Sequence, residues 1–419
     1  MMIRQSCLYS RYDWPAVAIG SQVMQTITGI ILGITTGTTV LIAIATGAKD
    51  NRKVAFTIGS SVWLFSITGV VLTLVMVLFH SRIAELMHTP VEAMVDTKNY
   101  ILVCSLGILF IVGYNVVCGI LRGLGDSKTP LYFVGLACVI NIVLDFILVG
   151  YFHWGATGAA IATVTAQGVS FGIALWFLYR HGFHFDFSRK DIRLNRNLSK
   201  KILVLGAPIA LQDALINVSF LIITVIVNQM GVIASASLGV VEKIIVFAML
   251  PPMAISSAVA TMTAQNYGAG LIKRMNKCLA SGIGIALVFG VSVCVYSQFL
   301  PETLTAFFTK DAAVVAMAAD YLRGYSIDCI VVSFVFCINS YFSGQGNSLF
   351  PMIHSLIATF LFRIPLSYWF SQIDSSSLFI MGFAPPISTV VSLLICIWYL
   401  RYTQRKLYLR GTMMPAMSN

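Results

Sequence analysis

The residues best suited to chemistry in this chain are acidic and polar groups set inside long apolar runs. Asp145 stands in the run Leu131–Tyr151, and Asn141 lies four residues before it, so the two share one helical face. An ionisable group at that depth costs about 3 kcal/mol in lipid and by default faces a cavity or a partner. A carboxylate and an amide oxygen are hard ligands of the kind a sodium ion accepts, by analogy with other hard cations. The carboxylate could equally carry a proton. Thr163, in the next apolar run, offers a further oxygen. In the second half, Asp213 and Glu242 lie about eleven and eight residues into their runs, where they could attract a cationic small molecule. The competing reading places each near a helix end, in water. Lys243 follows Glu242 but projects in another direction. Asp328 and Arg363 read as a packing or gating ion pair rather than as ligands.

Other chemistries find no support in the motifs. There is no HExxH, no GxSxG, and no paired-carboxylate or histidine cluster on an apolar run, and the six His are dispersed, so the chain does not read as an enzyme. The nine Cys are scattered through apolar sequence without CxxC or metal spacing. They read as small buried residues of a reduced protein, with no metal and no cofactor.

The elements that must position these residues are membrane helices. Of 419 residues, 58% are hydrophobic and 10% charged, and the mean hydropathy is +0.86. A soluble domain carries about 25% charged residues, and this chain cannot supply a polar shell. Several runs exceed the roughly 20 residues that cross a hydrocarbon core. Backbone groups in lipid must bond to one another, so the spans are helices and the fold class is all-α. Eleven spans are expected: Val17–Ala45, Val54–Phe79, Tyr100–Leu121, Leu131–Tyr151, Gly155–Tyr179, Ile202–Met230, Ala234–Ala264, Leu279–Leu300, Tyr321–Phe342, Pro351–Phe370 and Leu378–Tyr402.

The net charge of +11 falls into a pattern. Alternate loops hold Lys49, Arg52 and Lys53, then Arg122 and Lys128, then a connector from Arg180 to Lys201, then Lys273, Arg274 and Lys277, and the tail from Arg401 to Arg410. That side carries nineteen basic residues; the other has Arg4, Arg11, Arg82, Lys98 and Lys310. The excess belongs to the loops rather than to a nucleic-acid partner, and the positive-inside rule places it, with the C-terminus, in the cytoplasm. The expected location is a bacterial-type inner membrane.

The chain also repeats itself. Gly123-Leu-Gly125-Asp-Ser-Lys-Thr-Pro130 resembles Gly344-Gln-Gly346-Asn-Ser-Leu-Phe-Pro351. Gly47-Ala48-Lys49 resembles Gly268-Ala269-Gly270, and the step from Gly47 to Gly268 equals the step from Gly123 to Gly344. Closely spaced glycines suit a tight turn or a close helix approach rather than a phosphate loop. A constant offset implies two homologous bundles of the same orientation. The counterpart of Ile202–Met230 would fall mostly before Met1, so the expectation is two six-helix bundles with helix 1 absent. The expected domains are 1–180 (helices 2–6), a basic connector 181–201, a bundle 202–402 (helices 7–12) and a tail 403–419.

At this point the chain resembles the multidrug and toxic compound extrusion (MATE) family. The resemblance runs from about Ala16 to Arg405 and is densest at Leu121–Pro130, at Asn141-Ile-Val-Leu-Asp145 and at Gly155–Thr163, with Gly206-Ala-Pro208-Ile-Ala-Leu-Gln212 and Ala264–Ala269 in the second half. It implies two bundles about a central cleft, and a sodium- or proton-coupled antiporter that exports organic cations; one bundle pair suffices for a pathway, so a monomer is expected. It also implies that Asn141, Asp145 and Thr163 match a cation-site pattern of some bacterial and archaeal members. That pattern adds an Asp from helix 1, which has no counterpart here. Two other readings stay open: a lipid-linked saccharide flippase of the same superfamily, which would line its cleft with more cations than Lys243, Arg323 and Arg363, and a non-transporting remnant.

Overall fold

The structure is a computed structural model that describes residues 13–87, 89–183, 185, 187–373 and 377–413. Arg4, Arg11 and the expected stub of an opening helix near the N-terminus lie outside the described residues.

Among the described residues the regular structure is entirely helical. It begins with α1 (Asp13–Gly47), α2 (Asn51–Leu86), α3 (Met94–Leu106), α4 (Ile108–Leu124), α5 (Lys128–Asp145), α6 (Gly155–His181) and α7 (Arg196–Asn228). It continues with α8 (Val232–Gly268), α9 (Ile272–Phe299), the short α10 (Pro301–Ala306), α11 (Ala312–Gly344), α12 (Leu349–Ile357), α13 (Ile364–Ile373) and α14 (Ala384–Met413). Ten helical stretches are long and apolar enough to cross a membrane, and a bent pair makes an eleventh. The outward face of α2 explains why lipid is the solvent. Val70, Val71, Leu74, Val75 and Leu78 form one exposed helical stripe, a surface that water would not tolerate.

The bent pair corrects the expectation of an unbroken span over Tyr100–Leu121. The chain turns by 48° at Gly107, between α3 and α4. Gly107 packs so closely on Val164 of α6 that a Cβ there would meet the valine methyls at 2.5 Å. A backbone without a side chain permits both the approach and the bend. The aligned position in the second half is Asp328, inside the unbroken α11.

The chain divides into two compact units, Met1–Ala210 and Leu211–Asn419, and the division falls within α7. In the first unit the core gathers Ile31 and Ile42 of α1, Phe65 of α2, Tyr100 and Ile101 of α3, and Ile108 of α4. In the second unit α11 is the axis. Its Tyr321, Leu322 and Tyr325 pack with α8, and its Tyr341 and Phe342 pack with Met275 and Leu279 of α9. Eight described cysteines are free thiols. Cys138 is exposed on α5 and Cys278 only partly covered, against the expectation that all are buried.

The repeated turns have the same geometry in both halves. Gly125 and Gly346 both take positive φ, 99° and 86°. The next amide reaches five residues back in each: Asp126 N to Leu121 O at 2.9 Å, and Asn347 N to Phe342 O at 3.0 Å. That is the hydrogen bond that closes a helix on a left-handed residue. The side chain then begins the next helix. Asp126 Oδ1 accepts from the amides of Lys128 and Thr129, both at 3.0 Å, and Asn347 Oδ1 accepts from Phe350 N.

Candidate functional site

The antiparallel pairing of α5 and α6 positions the polar residues of the first unit. The hydroxyl of Ser170 donates to Phe133 O at 3.1 Å near one end of the pair. The register then carries Asn141 to Thr163, where Asn141 Nδ2 donates to Thr163 Oγ1 at 3.4 Å. Thr163 in turn donates to Ala159 O at 3.0 Å. With one lone pair of its hydroxyl oxygen taken by the Asn141 amide, Thr163 keeps the other for a ligand.

Asp145 lies one turn further along α5. It is half-buried, and its Oδ1 is buried with no hydrogen-bond partner among the described residues. It is also the last residue of regular α-helix, since Phe146–Tyr151 widen into a π turn. Such turns shift side chains off the regular helical face and cluster at functional sites. Asn141, Asp145 and Thr163 therefore share one neighbourhood, a pair in contact and a lone carboxylate beside it. Gln167 lies one turn beyond Thr163 on α6, on the side away from Asp145, and its Oε1 is also buried without a partner among the described residues. The sequence reading passed over Gln167, although its i, i+4 spacing from Thr163 was a usable signal.

In the second unit the two acidic residues are not brought together. Glu242 turns inward and its Oε1 accepts from Thr224 Oγ1 of α7 at 3.3 Å, while Lys243 is exposed. Thr224 is eleven residues from Asp213, which is about 16 Å along the helix at 1.5 Å per residue. Asp213 is exposed. Its neighbour Gln212 instead ties α7 to α12, with Nε2 donating to Ser355 Oγ at 3.0 Å.

Asp328 and Arg363 do not form the expected direct ion pair. The Arg363 guanidinium sits over the ring of Phe220, 4.3 Å from its centroid. Asp328 Oδ1 and Arg363 Nε are both buried without hydrogen-bond partners among the described residues. Arg363 is near enough to act electrostatically on both Asp328 and Glu242. Arg323, by contrast, leaves the apolar interior by pairing with Glu302 at 2.8 Å and Asp320 at 3.6 Å. His354 is a further buried group that the sequence did not single out: Nδ1 lies 2.8 Å from Ser392 Oγ and Nε2 2.7 Å from Asn339 Oδ1. Among the described residues no cluster of three His, Cys, Asp or Glu could hold a metal ion.

Helices built to span a membrane, repeated in two units and carrying acidic side chains within their apolar runs, define a multi-pass membrane transporter. The chain belongs to the MatE family, whose model matches residues 8–147 and 208–369. The two matches end at equivalent points of the repeat, within one residue. Among curated proteins it is similar to the "Probable multidrug resistance protein YpnP" of Bacillus subtilis (strain 168), 29% identical over 357 residues, or 85% of this chain and 80% of that one. It is also similar to the "Probable multidrug resistance protein NorM" of Thermotoga maritima, 26% identical over 371 residues, 85% of this chain and 78% of that one. Among solved structures, an outward-facing multidrug resistance MATE family transporter of the MOP superfamily superimposes with a TM-score of 0.90 at 22% identity, covering 96% of this chain and 90% of that one. A MATE structure in complex with MaD3S gives 0.89 at 23% identity, covering 95% and 89%. These structural likenesses concern the fold.

Proposed function

We propose that the protein is a sodium- or proton-coupled antiporter that exports organic cations across an inner membrane, with its basic loops and C-terminus in the cytoplasm. The observation that carries the reading is the partnerless carboxylate oxygen of Asp145 beside the Asn141–Thr163 pair. A carboxylate oxygen buried without a hydrogen-bond donor disfavours the anion unless a cation or a proton joins it. The relatives named for multidrug resistance supply the substrate class. Asp213 and Glu242, on different levels of α7 and α8, are the groups proposed to attract the cationic substrate, and a single chain is proposed to carry a whole pathway.

Coupling requires that ion and drug prefer different states of the protein. Ion entry at Asp145 neutralises the site and releases it from the need for any other cation. The flippase reading is disfavoured by the fate of the basic residues. Lys243 is exposed, Arg323 is paired with Glu302 and Asp320, and the Arg363 guanidinium is taken up by the Phe220 ring.

The test is Asp145→Asn in the full chain, expressed in an efflux-deficient host and assayed for dye export driven by an imposed sodium or proton gradient. The expected result is loss of gradient-driven export with an unchanged melting temperature. Unchanged export would remove Asp145 from the mechanism.

A further inference from the structure

The first unit holds a cavity of about 830 Å³ that is separate from the α5–α6 polar residues. Its floor is α4, through Val112 and Val116, and its walls are α2, through Val62 and Phe65, and α6, through Phe171 and Leu175. Ser66 and Tyr179 supply the polar side chains of the lining, and among the described residues no charged side chain lines it. Leu175 is 46% and Tyr179 87% exposed, so the space opens outward between α2 and α6, toward lipid.

One end is closed by the connector. Phe183 stacks on Phe185 with ring centroids 5.2 Å apart and meets Phe187 edge-on at 5.1 Å, and all three rings line the space. The connector is pinned to α2 at its far side. Trp63 Nε1 donates to Ile192 O at 3.0 Å, and Ser60 Oγ to Arg193 O at 3.5 Å. Gly59 has no side chain because the Asp191 backbone lies against it. The same end is basic. Arg193 and Arg52 both lie over the ring of Phe56, at 5.3 and 5.7 Å, Arg180 lies over Trp176 at 5.9 Å, and Lys190 is exposed. The nearby Asp191 carboxylate is engaged by the amide of Ser188 at 2.8 Å.

We infer that this cavity is a binding site for an anionic phospholipid. Its acyl chains fill the groove between α2 and α6, and its phosphate headgroup rests against Arg180, Lys190 and Arg193. Three features converge on that occupant. Protein interiors keep few voids larger than a water molecule, and a space of this size within a membrane fills with hydrocarbon. The described lining has no carboxylate, so an organic cation would find no counter-charge there. A cluster of cations at the end where the groove meets water is complementary to an anionic headgroup, and basic pockets between membrane helices recognise such headgroups. The connector that joins the two repeats would then read the lipid composition of its leaflet. The site goes beyond the proposed transport reaction and shares no residue with it.

The test is native mass spectrometry of the full chain released from nanodiscs of mixed phosphatidylglycerol and phosphatidylcholine. The wild-type protein is expected to retain phosphatidylglycerol in preference to phosphatidylcholine. Leu175→Trp, at a half-exposed position of the wall, is expected to lose the retained lipid. The pair Arg180→Gln and Arg193→Gln is expected to keep a lipid but lose the preference, and this variant decides the question by itself if Leu175→Trp does not fold. Unchanged adducts in Leu175→Trp, or an unchanged preference in the arginine pair, would overturn the assignment. So would displacement of the lipid from the wild-type protein by a cationic dye, which would make the cavity a substrate site.

Discussion

Gly123 and Gly344 occupy equivalent positions of the repeat and press against partners that are themselves equivalent, Thr39 and Ile42 in α1 and Ala260 and Thr263 in α8. A Cβ on Gly123 would lie 2.9 Å from Thr39 O and from Ile42 Cβ. A Cβ on Gly344 would lie 2.5 Å from Ala260 O and 3.0 Å from Thr263 Cβ. The repeat is thus preserved as a packing contact inside each unit as well as in the letters.

That contact leaves no room for a side chain. Gly123→Ala and Gly344→Ala are each expected to destabilise their bundle by about 1–3 kcal/mol, the usual effect of overpacking. Gly135→Ala on α5, where no described atom lies within 4 Å of the new methyl, is expected to stabilise by about 0.5–1 kcal/mol through helix propensity. Thermal unfolding of the purified variants in one detergent measures both signs.

Lys49 has φ 56° where its repeat partner Gly270 has φ 70°. The first half therefore holds a lysine in the left-handed region, at a cost of about 1–2 kcal/mol that glycine avoids. Lys49→Gly is expected to raise the melting temperature, and Gly270→Val to lower it. A fall in melting temperature for Lys49→Gly would show that the lysine side chain, not the backbone, governs that turn.

Asp126, in the loop before α5, has its carboxyl held below the ordinary value of 3.8. Partial burial works against this, but hydrogen bonds from Thr129 and Lys128 and the Lys128 charge outweigh it. A lowered value in the folded state means the cap stabilises fully above about pH 4 and is lost as pH falls through the folded value. Asp126→Ala is expected to cost about 1 kcal/mol at neutral pH and nothing extra in acid. Melting curves at pH 7 and pH 3 separate the two.

Thr163→Val removes the acceptor of the Asn141 amide, and a buried donor left unpaired costs about 1–3 kcal/mol. If Asn141 and Thr163 serve the coupling ion together, Thr163→Val weakens ion-dependent export roughly tenfold, equivalent to about 1.4 kcal/mol. The double variant Asn141→Ala with Thr163→Val then adds little more. Additive losses would mean that the two residues act separately.

Phe220 holds the Arg363 guanidinium by its ring face. Phe220→Leu keeps the apolar bulk but deletes the cation–π contact, and is expected to destabilise the second unit by about 1–2 kcal/mol. Arg363→Lys should cost a comparable amount, because an ammonium does not stack as a planar guanidinium does. Equal stability of both variants and the parent would show that the contact contributes nothing.

Several of these features were legible in the letters. Apolar runs set the spans because lipid admits only helices, and a repeated Gly-x-Gly-Asp/Asn set the two turns, because left-handed residues and helix caps depend on local chemistry. The candidate ion site was half legible. Asn141 and Asp145 share a face by spacing, but the meeting of Asn141 with Thr163 depends on the register between α5 and α6.

What only the tertiary structure decided is which face of each helix meets which neighbour. Nothing in the letters around Gly107 distinguishes a bend from a straight span until Val164 is seen pressed against it. Arg363 and Asp328 suggested an ion pair by charge alone, yet a ring of α7 took the guanidinium. Phe183, Phe185 and Phe187 looked like loop residues, and only their folding back over α2 and α6 makes them the end wall of a cavity. Hydropathy, charge and turn chemistry act over a few residues and survive in sequence. Register, bend and burial arise from contacts between distant segments, and packing alone settles them.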